Sequence, residues 1–132
     1  MLDHLSLGVS DLPRAVAFYD AALAPLGYVR LWGNDRGAGY GPAGSEDEVL
    51  QLRAEGAGAR PPGLGWHLAL TAPSRAAVAG FHAAALAAGG SDEGAPGPRP
   101  QYGPGYYAAF VRDPDGHRLE AVLHETARPA RR

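Results

Sequence analysis

The feature that most restricts the fold of this chain is an internal repeat with a period of 63 residues. Moving the sequence along by 63 places His4 on His67, and nine of the 24 positions from His4 to Gly27 are then identical. Three of the nine pairs are alanines in an alanine-rich chain, but the histidine, phenylalanine and glycine pairs fall at different places in the unit. Because repeated sequence indicates a repeated structural unit, we expect two copies of one module.

The first copy has the pattern of a β-α-β-β-β unit. Apolar residues at every second position predict a half-buried strand over 2–9. The capping side chains and the proline of residues 10–13 predict a helix start, and apolar residues spaced by four, three and four continue the helix to about Ala24. Glycine-rich turns then separate three further predicted strands, at residues 28–33, around 39–41 and at 48–54.

The second copy follows a glycine- and proline-rich segment, residues 55–64, which we interpret as a linker. The first module therefore spans residues 1–54 and the second residues 65–126, with 127–132 as a frayed tail, all within one compact α+β domain. The predicted elements of the second module are a strand over 65–71, a helix from Pro73 to about Ala88, a weak strand near Gly90, a loop over 94–105, and strands over 106–112 and 118–123.

Composition excludes several function classes. The net charge is −2 and the twelve basic residues are scattered arginines, so neither a nucleic acid nor an anionic membrane is expected as a partner. The chain has no cysteine, so a bound metal would need nitrogen and oxygen ligands. No apolar run approaches 18 residues and no targeting segment is recognisable, so a soluble, cytoplasmic protein is expected.

Three side chains are candidate metal ligands. His4, His67 and Glu120 each occupy the non-apolar positions of a predicted strand, while the alternate positions are leucine-rich. Two imidazoles and a carboxylate suit a divalent ion such as Fe(II), Zn, Ni or Mn. The alternatives are a solvated surface glutamate and polar histidines at strand ends, but a histidine at the same register in both copies favours the metal site.

Taken together, the motifs resemble the vicinal oxygen chelate superfamily, which includes glyoxalase I, fosfomycin-resistance proteins, extradiol dioxygenases and bleomycin-resistance proteins. The resemblance rests on residues 3–12, on 18–28, on His67 and on 110–116 ahead of Glu120, and it covers nearly the whole chain. It implies two β-α-β-β-β modules with curved mixed sheets around a cavity. By matching position it implies metal ligands at His4, His67 and Glu120, with Gln51 in the fourth place.

Gln51 departs from the four-ligand pattern that glyoxalase I enzymes generally use. It aligns with Glu120, but an amide cannot take up a proton, so Glu120 is the only ligand carboxylate able to act as a base. A set of two histidines and one carboxylate is instead what the dioxygenase and fosfomycin-type members carry. We interpret Gln51 as a polar residue of the cavity wall, with a fourth metal ligand as the alternative.

Other polar and aromatic residues are assigned to the cavity or to the surface. Tyr106 and Tyr102 are candidates for donating a hydrogen bond or proton to a metal-bound oxygen, the alternative being that they anchor a loop. His124 is expected outside the first ligand sphere, His117 is expected to be exposed, and His82 is expected on a helix surface. Trp32, Tyr40 and Arg53 are expected to line the cavity on the side of the first module.

The leading hypothesis is a metal-dependent enzyme that acts on a small oxygen-bearing molecule, as a lyase or isomerase, a dioxygenase or a thiol transferase. The competing hypothesis is a metal-free protein that sequesters a small molecule, as bleomycin-resistance members do. A third is a pure interaction module, which a cavity plugged by side chains would favour. The resemblance also implies a homodimer, without indicating whether each site lies within one chain or between two.

Overall fold

Both halves of the chain fold as the same module, as the internal repeat predicts. The computed structural model describes residues 1–126. The first module contains β1 (Leu5–Val9), α1 (Leu12–Leu23), β2 (Tyr28–Gly33), β3 (Gly37–Pro42) and β4 (Leu50–Ala54). The second contains β5 (Leu68–Thr71), α2 (Arg75–Ala87), β6 (Ser91–Pro98), β7 (Tyr106–Arg112) and β8 (Arg118–His124).

Each module forms its own four-stranded mixed sheet. The strand orders are β1-β4-β3-β2 and β5-β8-β7-β6, so the two modules have the same topology. The first and last strands of each module are parallel, and the other neighbours are antiparallel. The predicted α+β class with two β-α-β-β-β modules is thereby confirmed, and neither sheet of the described residues closes into a barrel.

The helices begin where capping side chains satisfy free backbone N–H groups. Asp11 accepts a hydrogen bond from the N–H of Arg14 at 3.1 Å, and Ser74 accepts one from the N–H of Ala77 at 3.0 Å. After α1 a short 3₁₀ turn ends at Gly27, whose φ of +88° is a left-handed conformation that glycine adopts without a steric penalty. Neither helix in residues 1–126 is long and apolar enough to cross a membrane.

One hydrophobic core spans both modules because α1 and α2 pack against each other between the sheets. Phe18 and Phe81, which the repeat superposes, are both fully buried. The leucine-rich faces of the strands, including Leu7, Leu52 and Leu119, lie under the helices. The opposite faces of both sheets carry the residues predicted to bind metal or to line a cavity.

A buried polar cluster joins α1 to the turn between β7 and β8. The hydroxyl of Tyr19 donates to Oδ2 of Asp113 at 2.6 Å, and Nδ1 of His117 lies 2.8 Å from the same oxygen. Next to them, Asp115 accepts hydrogen bonds from the N–H and hydroxyl of Ser10. The prediction that His117 is exposed is wrong, because its ring fills the space under the turn and is 1% exposed.

Two further expectations need correction. The predicted loop over 94–105 is extended backbone at its start, since β6 runs from Ser91 to Pro98. Tyr40 does not line a cavity: it is fully buried, and its hydroxyl donates to Asp20 of α1 at 2.9 Å. Its neighbour Gly39 pairs with Gln51, so alternation along β3 turns Tyr40 towards the helix instead. The predicted tail, 127–132, lies outside the described residues.

Candidate functional site

The candidate site lies on the face of the second sheet that points away from α2. There Nε2 of His67 is 3.0 Å from Oε1 of Glu120, and the hydroxyl of Tyr106 donates a hydrogen bond to Oε2 of the same carboxylate. Glu120 is 1% exposed, whereas half of the His67 side chain remains accessible. The predicted pair therefore converges within one chain, with an open side at the imidazole.

The sequence of β8 explains why Glu120 points into this face. Leu119 and Ala121 are buried in the core under α2, so the side chain between them must leave from the opposite side of the sheet. The strand is set in place by the Asp-Pro-Asp-Gly turn, in which the N–H of Gly116 donates to the carbonyl of Asp113 at 3.0 Å. Gly116 has φ of +91°, which glycine tolerates best.

Aromatic side chains surround the carboxylate and form a cavity of about 500 Å³. Phe110 faces Glu120 across β7 and β8. Tyr102 stacks edge-on against Tyr106, with ring centres 5.3 Å apart, and His124 contacts the other side of Tyr106 at 5.1 Å. The cavity lining consists of Gly65, Trp66, His67, Glu93, Tyr102, Tyr106, Phe110, Val111, Arg118, Leu119 and Glu120.

The corresponding face of the first sheet carries the other predicted residues. Ser6 donates to the amide oxygen of Gln51 at 3.1 Å, and Nδ1 of His4 lies 2.7 Å from Oδ1 of Asp3. The half-buried Glu48 and the indole of Trp32 lie over the strand position of Gly39, which pairs with Gln51. In addition, Arg53 is exposed and pairs with Glu55 at 3.6 Å.

The two halves of the predicted ligand set remain apart within one chain. Residues 1–126 contain no group of three or more His, Cys, Asp or Glu side chains arranged to hold an ion. Glu120 and His67 thus meet on the second sheet, while His4 and Gln51 belong to the first. The structure does not bring His4 to Glu120 in a single copy of the chain.

The remaining histidine on a helix has a structural partner. His82 on α2 lies 2.9 Å from Oδ1 of Asp92, with 13% of its side chain exposed, so it is less of a surface residue than expected. This hydrogen bond, together with one from the N–H of Gly94, lowers the pKa of the Asp92 carboxyl. The pair lies outside the cavity lining and contributes nothing to the candidate site.

Sequence reasoning predicted four of the eleven lining residues and missed the others, among them Trp66, Glu93, Phe110 and Arg118. A signal for Arg118 was present, because it shares strand parity with Glu120 two residues later. Alternation with His67 would place Trp66 on the apolar face with Leu68, but Trp66 lies before β5 begins, where strict alternation does not apply. Glu93 and Phe110 become neighbours of the site only through the pairing of β6, β7 and β8.

Comparisons with known proteins agree with this architecture. A family model described as the Glyoxalase/Bleomycin resistance protein/Dioxygenase superfamily matches residues 1–121. A solved structure of a glyoxalase/bleomycin resistance protein from Albidiferax ferrireducens T118 is 33% identical with a TM-score of 0.79, covering 98% of this chain and 99% of that one.

Two more distant structures share the fold. A glyoxalase-related enzyme from Fulvimarina pelagi is 23% identical with a TM-score of 0.71, covering 93% of this chain and 87% of that one. The E144Q mutant of glyoxalase I from Zea mays is 24% identical with a TM-score of 0.68, covering 93% of this chain and 46% of that one. Among curated proteins, none matches the chain.

Proposed function

Because the chain belongs to the Glyoxalase/Bleomycin resistance protein/Dioxygenase superfamily, we propose that it is a metal-dependent enzyme acting on a small oxygen-bearing molecule. The observation that supports this most directly is the convergence of Nε2 of His67 on the buried carboxylate of Glu120. A carboxylate removed from water is costly unless it is paired or coordinates a metal. The accessible imidazole beside it leaves room for an ion and a substrate.

His67 and Glu120 could supply two of the ligands of a divalent metal. An imidazole nitrogen and a carboxylate oxygen are ligands for Fe(II), Zn, Ni or Mn. A bound ion would act as a Lewis acid that polarises a chelated oxygen of the substrate. The hydrogen bond from Tyr106 fixes the orientation of Glu120, as outer partners of metal ligands commonly do.

The proton chemistry in this proposal belongs to Glu120 and Tyr106. Glu120 is the carboxylate positioned to take up a proton, and it is screened from bulk water by the cavity wall. The hydroxyl of Tyr106 has a single proton, which it donates to this carboxylate, so it would donate to an oxygen of a molecule in the cavity only after that hydrogen bond breaks. Tyr102 packs against Tyr106 and keeps its ring in place.

We further propose that a homodimer completes the site, with His4 from one copy meeting His67 and Glu120 of the other. The support is that both faces carry matched halves of one ligand set at equivalent strand positions. The side chain of His4 is about half exposed and, among residues 1–126, is hydrogen-bonded to the neighbouring Asp3 alone, so it is available to a second chain. Gln51, held by Ser6, would then contribute an amide to the wall of the shared cavity.

A metal-free binding protein is the second candidate, and one observation favours it. His67 and Glu120 pair with each other at 3.0 Å beside a cavity whose wall includes the aromatic side chains of Trp66, Tyr102, Tyr106 and Phe110. Such a cavity could sequester a planar small molecule. A cavity plugged by side chains would favour an interaction module, but this cavity is accessible beside His67.

Metal titration of the purified protein separates these functions. We expect about one divalent ion per chain by calorimetry, and loss of binding in His67→Ala and in Glu120→Ala. The matched control is His82→Ala, which removes an imidazole that does not line the cavity. A wild-type protein that binds none of the four metals at neutral pH would contradict the metal-dependent function and leave sequestration.

Mixing two inactive variants tests whether the site is shared between chains. His4→Ala and Glu120→Ala each destroy every site in their own homodimers. In a mixed dimer, one site would combine the intact His4 of one chain with the intact Glu120 of the other. Random exchange should therefore restore about one quarter of the wild-type metal binding. No recovery after subunit exchange would show that each site lies within a single chain.

A further inference from the structure

We infer that Arg118 forms an oxyanion-binding position beside the proposed metal site, so that the site selects substrates carrying a carboxylate, phosphonate or phosphate group. The inference rests on the proposed function, because a metal held by His67 and Glu120 would bind the other end of the same substrate. Its support is the place of Arg118 on β8, the charges around it and the shape of the cavity.

Arg118 lies on the same face of β8 as Glu120, two residues earlier. Two residues of a strand span about 7 Å, so the guanidinium of Arg118 and the carboxylate of Glu120 could contact neighbouring parts of one bound molecule. The parallel pairing of β5 and β8 sets Leu68 beside Leu119, and continuing that register by one residue brings His67 beside Arg118. Both side chains line the same cavity.

Two guanidinium groups share one carboxylate beside the cavity, while the other carboxylate of its lining, Glu120, is already bonded to His67 and Tyr106. Arg112 and Arg118 face each other directly across β7 and β8, an arrangement that is destabilising for like charges. A single carboxylate serves both: Oε1 of Glu93 is 2.7 Å from Nε of Arg112 but 3.7 Å from Nε of Arg118. Glu93 therefore pairs closely with Arg112 and only at longer range with Arg118.

Arg118 also has its hydrogen-bond donors available. Among residues 1–126 its side chain makes an ion pair at 3.7 Å with Glu93 but no hydrogen bond, and nearly half of that side chain is exposed. A guanidinium presents its N–H groups in a fixed fork that matches a carboxylate or phosphate with two parallel hydrogen bonds. A guanidinium in a cavity wall whose ion pair with Glu93 is this long is suited to bind a ligand anion.

The walls between the two anchors indicate a flat ligand body. Phe110 lies opposite Glu120, and Trp66 lines the same cavity beside His67. A planar ring or conjugated chain could pack between these side chains while one end reaches Arg118 and the other reaches His67 and Glu120. The inferred substrate class is therefore a planar oxygen chelator with an anionic substituent.

The test compares two probes that share the same catechol and differ in whether the ring substituent is charged, 3,4-dihydroxybenzoate and its methyl ester, by calorimetry on the Ni²⁺-loaded full chain. We expect the acid to bind about tenfold more tightly than the ester, because a charge-assisted hydrogen bond is worth about that factor. Arg118→Gln should abolish the preference without changing the affinity for the ester. Arg60→Gln, which removes the same charge from an exposed residue of the linker, should keep it.

Equal affinities in the wild type, or a preference that survives Arg118→Gln, would overturn the inference. If the ester fails to bind, the metal function itself is in doubt, and benzoate titrated into the metal-free protein then tests Arg118 alone. Benzoate binding that is lost in Arg118→Gln would uphold the oxyanion position. Binding that is absent, or indifferent to Arg118→Gln, would reject it.

Discussion

At the scale of single residues, Glu120 concentrates the chemistry of this protein. Its carboxylate is buried, and it is satisfied from two directions by His67 and Tyr106. A buried charge held in this way is rigid, and rigidity is what a metal ligand or a catalytic base requires. The two partners would have different roles in metal binding. His67 would bind the metal directly, whereas Tyr106 would act by holding Glu120 in place.

Replacing Tyr106 with phenylalanine should therefore weaken metal binding without abolishing it. The change removes the hydrogen bond to Oε2 of Glu120 but keeps the ring between Tyr102 and His124. Loss of an outer partner of a metal ligand typically lowers metal affinity by about 10- to 100-fold. Tyr102→Phe is the matched control, since Tyr102 is 60% exposed and reaches the site only through its ring. Equal metal affinities in Tyr106→Phe and wild type would argue against this role.

Two buried tyrosines predict the behaviour of the protein at high pH. Burial raises the pKa of Tyr19, helped by the nearby charge of Asp113, and burial raises the pKa of Tyr40, helped by its hydrogen bond to Asp20. Below pH 10 these tyrosines are protonated whether the chain is folded or unfolded. Above about pH 10 only the unfolded chain loses their protons, so stability should fall as pH rises, by about 1.4 kcal/mol per pH unit for each tyrosine.

Urea unfolding between pH 8 and 11 would measure this slope. Tyr40→Phe should reduce the slope by about 1.4 kcal/mol per pH unit, because phenylalanine has no proton to release in the unfolded chain. A stability that stays flat up to pH 11 in the wild type would contradict the assignment of both hydroxyls as buried and neutral.

At the scale of secondary structure elements, the sequence predicts the helices and strands that have a clear pattern of apolar and capping residues within their own segment. Both helices and most strands follow from apolar spacing and capping residues such as Asp11 and Ser74. The weak strand predicted near Gly90 corresponds to the start of β6, but its continuation from Gly94 to Pro98 was missed because Pro96 and Pro98 make that segment resemble a loop. It is an edge strand with irregular pairing to β7, and an edge strand tolerates proline because one side of its backbone needs no hydrogen bonds.

The glycines of β3 give a prediction at the same scale. A Cβ at Gly37 would collide with the backbone carbonyl of Leu52, whereas one at Gly39 would meet the side-chain ends of Trp32 and Glu48. Gly37→Ala should thus lower the free energy of unfolding by about 1–3 kcal/mol, as overpacking does, and Gly39→Ala by less. Denaturant titration compares the two.

Gly39→Ala has a second, optical consequence. Displacing the indole of Trp32 should change its fluorescence, which a Trp66→Phe background isolates because the chain has two tryptophans. Unchanged emission, or a larger loss of stability for Gly39→Ala than for Gly37→Ala, would show that the indole does not lie over β3 as described.

At the scale of the whole molecule, the repeat predicts two modules but not how their faces meet. Helices α1 and α2 pack together in the core, which leaves the face with His4 and the face with Glu120 on separate sheets. Strand parity could assign both residues to non-apolar faces, since it depends on local alternation. Nothing local distinguishes a site within one chain from one between two chains, because the same faces could meet in either way.

A shared site would link metal binding to assembly. If His4 comes from one chain and His67 from another, the ion binds the dimer more tightly than the monomer, so it must strengthen the dimer by the same factor. Sedimentation of a dilution series should then give a dimer dissociation constant at least about tenfold lower with Ni²⁺ than with a chelator. His4→Ala should still dimerise without metal but lose this response, and His82→Ala should keep it. A dimer whose strength is indifferent to Ni²⁺ in the wild type would place the metal within a single chain.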